Sequence, residues 1–318
     1  MRKKILGPLV ILLIMAAGEI IAAGQSKPRA ITTNKNKLLT LAVQGQIAPA
    51  QPARSYTATW DGRPKLAIGI GGINYNLKIG DKVFGWANGD RATVGVAAEG
   101  IGEDRFSSAW LTYTCIGNKA EVISGEAART KGFYIGRHAG SDDLIWFPQN
   151  AVEKLALNDK IQVKARGVGL KIEGFEDVRV NKLSPELLEK MGITIERGQL
   201  VVPVVMEIPG HIMGSGLGFP FIEALDYDVQ TTCPEIVEEY GLEKLRLGDL
   251  VAIKGHYDVY APGRYEGAVT IGVVIHGFSD LAGHGPGMNP VLSALPGKIK
   301  TRLDPNANTA HYLGIRAK

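Results

Sequence analysis

The chain has 318 residues, 45% apolar and 21% charged, so it carries enough apolar material for a packed core and wholesale disorder is excluded. Its 40 glycines are close to twice an ordinary share but keep no every-third-residue period, which excludes a collagen-like fibre. The formal net charge of +4 sits at the ends, in residues 1–24 and 298–318, and the slightly acidic body between them argues against a nucleic-acid partner.

In chain order, Arg2-Lys3-Lys4 precede an apolar run from Ile5 to Ala17, and two small-residue sites follow, Ala16-Ala17-Gly18 and Ala22-Ala23-Gly24. This pattern predicts a secretory signal over 1–24, or a membrane anchor if it stays uncleaved. The expected location is exported (periplasmic or extracellular), or membrane-anchored through this segment. Residues 25–37 read as a linker. A β-rich N-terminal domain over 38–180 and an α+β C-terminal domain over 181–297 are expected, with the polar passage 176–184 as their boundary. The basic residues 298–318 read as a loosely attached tail.

Alternating or continuous apolar runs predict strands at 38–43, 66–70, 121–124, 133–136, 144–147, 161–165, 199–205, 250–254 and 268–276. One device recurs at 77–83 (LKIGDKV), 155–161 (LALNDKI) and 245–251 (LRLGDLV). Gly or Asn takes the positive φ of a turn, Asp closes it, and a half-buried strand follows. Helices are few and short. One is expected at 149–155. A second starts at Ser184-Pro185-Glu186, with serine as N-cap and proline first in the helix. A third starts at Thr232-Cys233-Pro234-Glu235 and runs to Tyr240-Gly241. The expected class is α+β and β-rich, with barrel-like or packed sheets, few short helices and two domains. Cys115 and Cys233 are the only thiols, too few for a disulfide framework.

Chemistry-bearing residues gather late in the chain. Five of the six histidines follow residue 210: His211, His256, His276, His284 and His311. Asp226-Tyr227-Asp228 would place two carboxylates on one face of a strand, and His256-Tyr257-Asp258 repeats that geometry. Asp226, Asp228 and His256 are therefore the expected ligands of a divalent metal, with His276, His284, Asp258 and Glu266 as catalytic groups. Arg264 is expected to hold the substrate. Gly283, Gly285 and Gly287, around His284 in GHGPG, would offer backbone N–H groups to an oxyanion. The glycines at 214, 216 and 218 are spaced too closely for a dinucleotide fingerprint, and Pro220 blocks a helix start there.

Several segments together resemble a prokaryotic family described only as a domain of unknown function with N- and C-terminal parts. They are GGINYNLKIGDKVFGW (71–86), CIGNKAEVISGEA (115–127), KGFYIGRHAG (131–140), RGVGLKIEGFEDV (166–178), ALDYDVQ (224–230) and RYEGAVTIGVVIHGFSDLAGHGPG (264–287). The resemblance covers roughly 34–292 and implies a two-part fold without supplying a mechanism. A weaker likeness is to acetamidase- and formamidase-type β-rich hydrolases, from which no residue is carried over. Two functions are expected from the residues themselves. The first is a hydrolase acting on a small polar substrate with His and Asp groups, assisted by a divalent metal. The alternative is a noncatalytic exported protein that binds a small ligand or assembles into a homo-oligomer.

Overall fold

A closed six-stranded antiparallel barrel forms the first half. Around the ring run Leu41–Ile47, Val96–Gly100, Asp143–Trp146, Lys131–Arg137, Lys119–Val122 and Lys160–Ala165. The computed structural model describes residues 28–51, 56–102, 104–140 and 142–316, so the leader expected over 1–24 lies outside the described residues. Alternate residues fill the barrel, including the fully buried Ile47, Val122, Tyr134, Ile145, Ile161 and Val163. The helix Asp104–Tyr113 packs against the strands Leu41–Ile47 and Val96–Gly100. Its Trp110 is buried, and the indole Nε1 donates to Asp143 at 2.9 Å. Gly45 is obligatory there, because a Cβ would lie 2.9 Å from the Trp110 ring and 2.5 Å from a backbone oxygen.

The second half is built on a larger sheet. Arg179–Val180, Gly287–Ala294, Gly263–Val274, Leu250–Tyr257 and Met206–Pro209 lie side by side, and the short strand Tyr227–Asp228 also pairs with Gly287–Ala294. A four-stranded sheet of Arg29–Ala30, Thr194–Glu196, Gln199–Val204 and Ile299–Leu303 completes this half. The β-rich class with few short helices is what the sequence predicts.

The three Gly-Asp or Asn-Asp stretches close with one geometry. Gly80, Asn158 and Gly248 take φ of 91°, 68° and 85°. The carboxylates of Asp81, Asp159 and Asp249 each accept the backbone N–H three residues earlier, at 2.8, 2.9 and 2.8 Å. The first and third stretches also pair with each other across the two halves, through Gly80 N to Leu247 O and Leu247 N to Asp81 O. The helix expected from Ser184 runs Pro185–Lys190, and the Ser184 hydroxyl accepts from Leu187 N.

Four expectations need correction. Residues 66–70 form only an isolated bridge, Ile68 with Gly89, because Gly69 and Gly71 take positive φ. The expected linker is docked over its described part: Arg29–Ala30 pairs with a C-terminal strand, and Lys35 pairs with Glu189. The tail is not loose, since Ile299–Leu303 is a sheet strand parallel to Gln199–Val204 and Asn308 bonds Asp249. The strand Gly287–Ala294 falls outside the predicted set despite its central place. Both cysteines are free thiols.

Candidate functional site

The strand Tyr227–Asp228 sorts its neighbourhood by alternation. Asp226 and Asp228 face a cavity of about 470 Å³ where the barrel meets the C-terminal sheet, and Tyr227 points the other way. Two histidines come from different halves. His276 follows the long strand Gly263–Val274, and His138 follows the barrel strand Lys131–Arg137. Their rings approach to 4.3 Å between centroids.

His276 is the centre of the arrangement. Its Nε2 lies 3.0 Å from Asp226 Oδ2 and 3.4 Å from Asp228 Oδ1. Its Nδ1 lies 2.9 Å from the Gly277 carbonyl, which favours a proton there and leaves Nε2 turned to the carboxylates. Gly287 makes this packing feasible, because a Cβ would lie 2.1 Å from His276 Nε2 and 2.6 Å from Asp226 Oδ2. Ala139 N donates to Asp226 Oδ1 at 3.1 Å. Asp228 Oδ2 receives His284 Nδ1 at 2.9 Å and Gly285 N at 3.3 Å.

One ligand atom each from His138, Asp226 and His276 lie within 4.8 Å of one another, and all three residues are buried. Asp226 Oδ2 is held by its ion-pair contact with His276 alone, and His138 Nδ1 has no hydrogen-bond partner. Two imidazoles and a carboxylate at this spacing could hold a divalent transition metal.

Titration follows the same geometry. Burial alone disfavours the His276 imidazolium, but the Asp228 and Asp226 carboxylates outweigh it and push the pKa up to about 10. Burial raises the Asp226 carboxyl despite His276. For Asp228 burial acts the same way, but His276 and His284 prevail and hold it well below the usual carboxylate range. Burial and the neighbouring His276 and Arg91 depress His138 strongly, so its imidazole is neutral and has a lone pair to give.

The sequence-predicted residues divide into four groups. Asp226, Asp228, His276 and His284 come together in this cavity. His256 and Asp258 do not; they lie behind the sheet, where the His256 ring stacks on Tyr227 at 5.7 Å. His256, expected beside Asp226 and Asp228 as a metal ligand, is thus kept from them by the sheet itself. Arg264 and Glu266 are exposed on the strand Gly263–Val274, and neither lines the cavity. Of the GHGPG amides, Gly285 N is spent on Asp228; Gly287 N lies 3.3 Å from His276 Nδ1, and Gly283 accepts Ser215 N with its carbonyl. His138, Arg91 and Arg137 are the lining residues that sequence reasoning missed. The segment KGFYIGRHAG carried Arg137 and His138 in plain view, but nothing local links it to Asp226, 88 positions later.

Family models describe domain of unknown function (DUF4438), N-terminal, over residues 56–189, and its C-terminal counterpart over 190–313. The chain belongs to the DUF4438 family. The candidate site of this DUF4438 protein draws on both parts, with Arg91, Arg137 and His138 from the first and Asp226, Asp228, His276 and His284 from the second. A solved structure titled "Crystal structure of TM1086" is similar at 39% identity and a TM-score of 0.84, covering 89% of this chain and 99% of that one. No curated protein matches the chain.

Proposed function

We propose that this cavity holds a divalent transition metal on His138, His276 and Asp226, with Asp228 beside it, and hydrolyses a small polar substrate. The observation that carries the reading is the buried triad from two halves of the chain, with ligand atoms within 4.8 Å of one another and a buried His138 Nδ1 that has no hydrogen-bond partner. A buried polar atom is costly unless something satisfies it, and a cation here satisfies His138 and takes the place of the proton that His276 Nε2 shares with Asp226. A metal supplies a water of lowered pKa at such a site.

His284 fits the role of proton carrier. Its Nδ1 is fixed by Asp228, its side chain is 28% exposed, and it lines the cavity. His284 accepts a proton from attacking water and returns it to the leaving group, while Asp228 orients the ring. His and carboxylate groups within hydrogen-bond reach favour this reading over a purely structural one.

The test begins with metal analysis of protein purified without chelator and then titrated with Zn²⁺, Mn²⁺ and Fe²⁺. One ion per chain is expected, and His138→Ala and Asp226→Asn are expected to lower its affinity by about tenfold or more. His284→Ala should keep the metal and lose turnover on a panel of small esters and amides. A folded wild-type chain that takes up none of the three metals overturns the reading.

A further inference from the structure

Two arginines of the N-terminal half line the same cavity as the metal ligands. Each is held in place and only partly consumed. Arg137 gives Nη1 to Asp143 at 2.8 Å, and its Nε is buried without a partner. Its backbone is clamped by Asn289, which accepts Arg137 N at 2.7 Å and donates to Arg137 O at 2.8 Å. Arg91 gives Nε to Asp90 at 3.0 Å. Its backbone sits at φ 48°, a left-handed conformation that a non-glycine residue adopts at a cost. Two bonds to the C-terminal half keep it there: Arg91 N donates to Phe278 O, and the buried Asp90 accepts from the Ser279 hydroxyl at 2.6 Å.

A guanidinium has five N–H donors, and among the described residues each of these two hydrogen-bonds one carboxylate, Asp90 for Arg91 and Asp143 for Arg137. Arginines serving only to brace the fold would have their donors consumed by it. Here both arginines line the cavity. A neutral substrate would leave these donors desolvated and unpaired when it displaced water, whereas an oxyanion would satisfy them in the forked geometry guanidinium favours. Phe219 and Leu225 give the cavity an apolar wall, and its volume lies in the range of small-molecule clefts, roughly 300–1,000 Å³.

We infer that the substrate of this site is a small organic oxyanion, a carboxylate or phosphate on a compact apolar body, held by Arg91 and Arg137. This rests on the hydrolase reading above for the reaction, but the arginines bind the anion whether or not a metal is present.

The experiment is calorimetric titration of the metal-loaded and metal-free full chain with benzoate and with inorganic phosphate, alongside measured metal content. Binding of at least one probe is expected. Arg91→Gln and Arg137→Lys should each weaken it by about tenfold or more with metal content unchanged. Benzoate binding alone assigns the carboxylate source, and phosphate binding alone assigns the phosphate source. Arg91→Gln keeps the test valid if the partly buried Arg137 variant fails to fold. If neither probe binds a folded chain, or if binding is unchanged in Arg91→Gln, the inference fails. A chain that takes up no metal but binds the probes through the arginines defeats the metal reading and leaves the anion site standing.

Discussion

At the scale of single residues, the sheet that carries Tyr227 separates two pairs of titratable groups. Asp226 and Asp228 face the cavity, and His256 and Asp258, both buried, lie together behind the sheet. The back-side pair makes its own prediction. Burial pushes the Asp258 carboxyl up to about 6 from 3.8 and the His256 imidazole down to about 4 from 6.5. Asp258 is neutral by preference in the fold, so its contribution to stability is full below about 4 and is lost as pH rises to about 6. His256 is also neutral by preference, so its contribution is full above 6.5 and is lost as pH falls to about 4. The two oppose each other across this window. Relative to wild type, Asp258→Asn should gain stability as pH rises from about 4 to 6, by on the order of 3 kcal/mol. His256→Gln should lose stability relative to wild type over the same rise. Urea denaturation across that range measures both, and variant profiles parallel to wild type would refute the assignment.

At the scale of elements, what the sequence revealed was local chemistry and what it concealed was tertiary permission. The Gly-Asp turns are legible because glycine or asparagine and aspartate act within four residues of one another. The strand Gly287–Ala294 is hidden by Pro290, which ordinarily argues against a central strand. It is tolerated because Pro290 lies opposite Gly272, where the register with Gly263–Val274 shifts. The helix Asp104–Tyr113 was not anticipated either; its Ser-Ser and Thr are indifferent helix formers, and Trp110 anchors it through contacts with the distant Asp143. The turns differ in burial, and so in cost. Asp249 is fully buried and holds Arg246 N, the Arg246 guanidinium and Asn308 Nδ2. Asp81 is partly exposed and holds Lys78 N and Arg316. Asp249→Ala should therefore cost on the order of 3 kcal/mol and Asp81→Ala about 1 kcal/mol in chemical denaturation. Equal losses would mean that the turn alone, and not its buried partners, sets the energy.

At the scale of the whole molecule, the site exists only where the two DUF4438 parts meet, and this is why no window of sequence contains it. The seam is bonded along its length. Gly80 and Leu247 pair across it, Gly277 N donates to Ala92 O, and Thr93 bridges His276. Asn289 is the most consequential link, because the same side chain holds Arg137 N, Arg137 O and Leu225 O. Those backbones lead directly to His138 and Asp226, so seam and candidate metal centre should weaken together. All four tryptophans, Trp60, Trp86, Trp110 and Trp146, lie in the N-terminal half. Tryptophan fluorescence therefore follows that half, and far-UV circular dichroism follows both. The two thermal transitions should coincide in wild type, as expected of one cooperative unit. Asn289→Leu keeps the volume but strands three backbone groups, so it should cost on the order of 3 kcal/mol and lower both transitions. It should also weaken metal binding, which Asp159→Ala, a destabilised control at a barrel turn away from the cavity, should leave unchanged. Separate fluorescence and dichroism midpoints in wild type would show halves that unfold independently, and Asn289→Leu with undiminished metal affinity would break the link between seam and site.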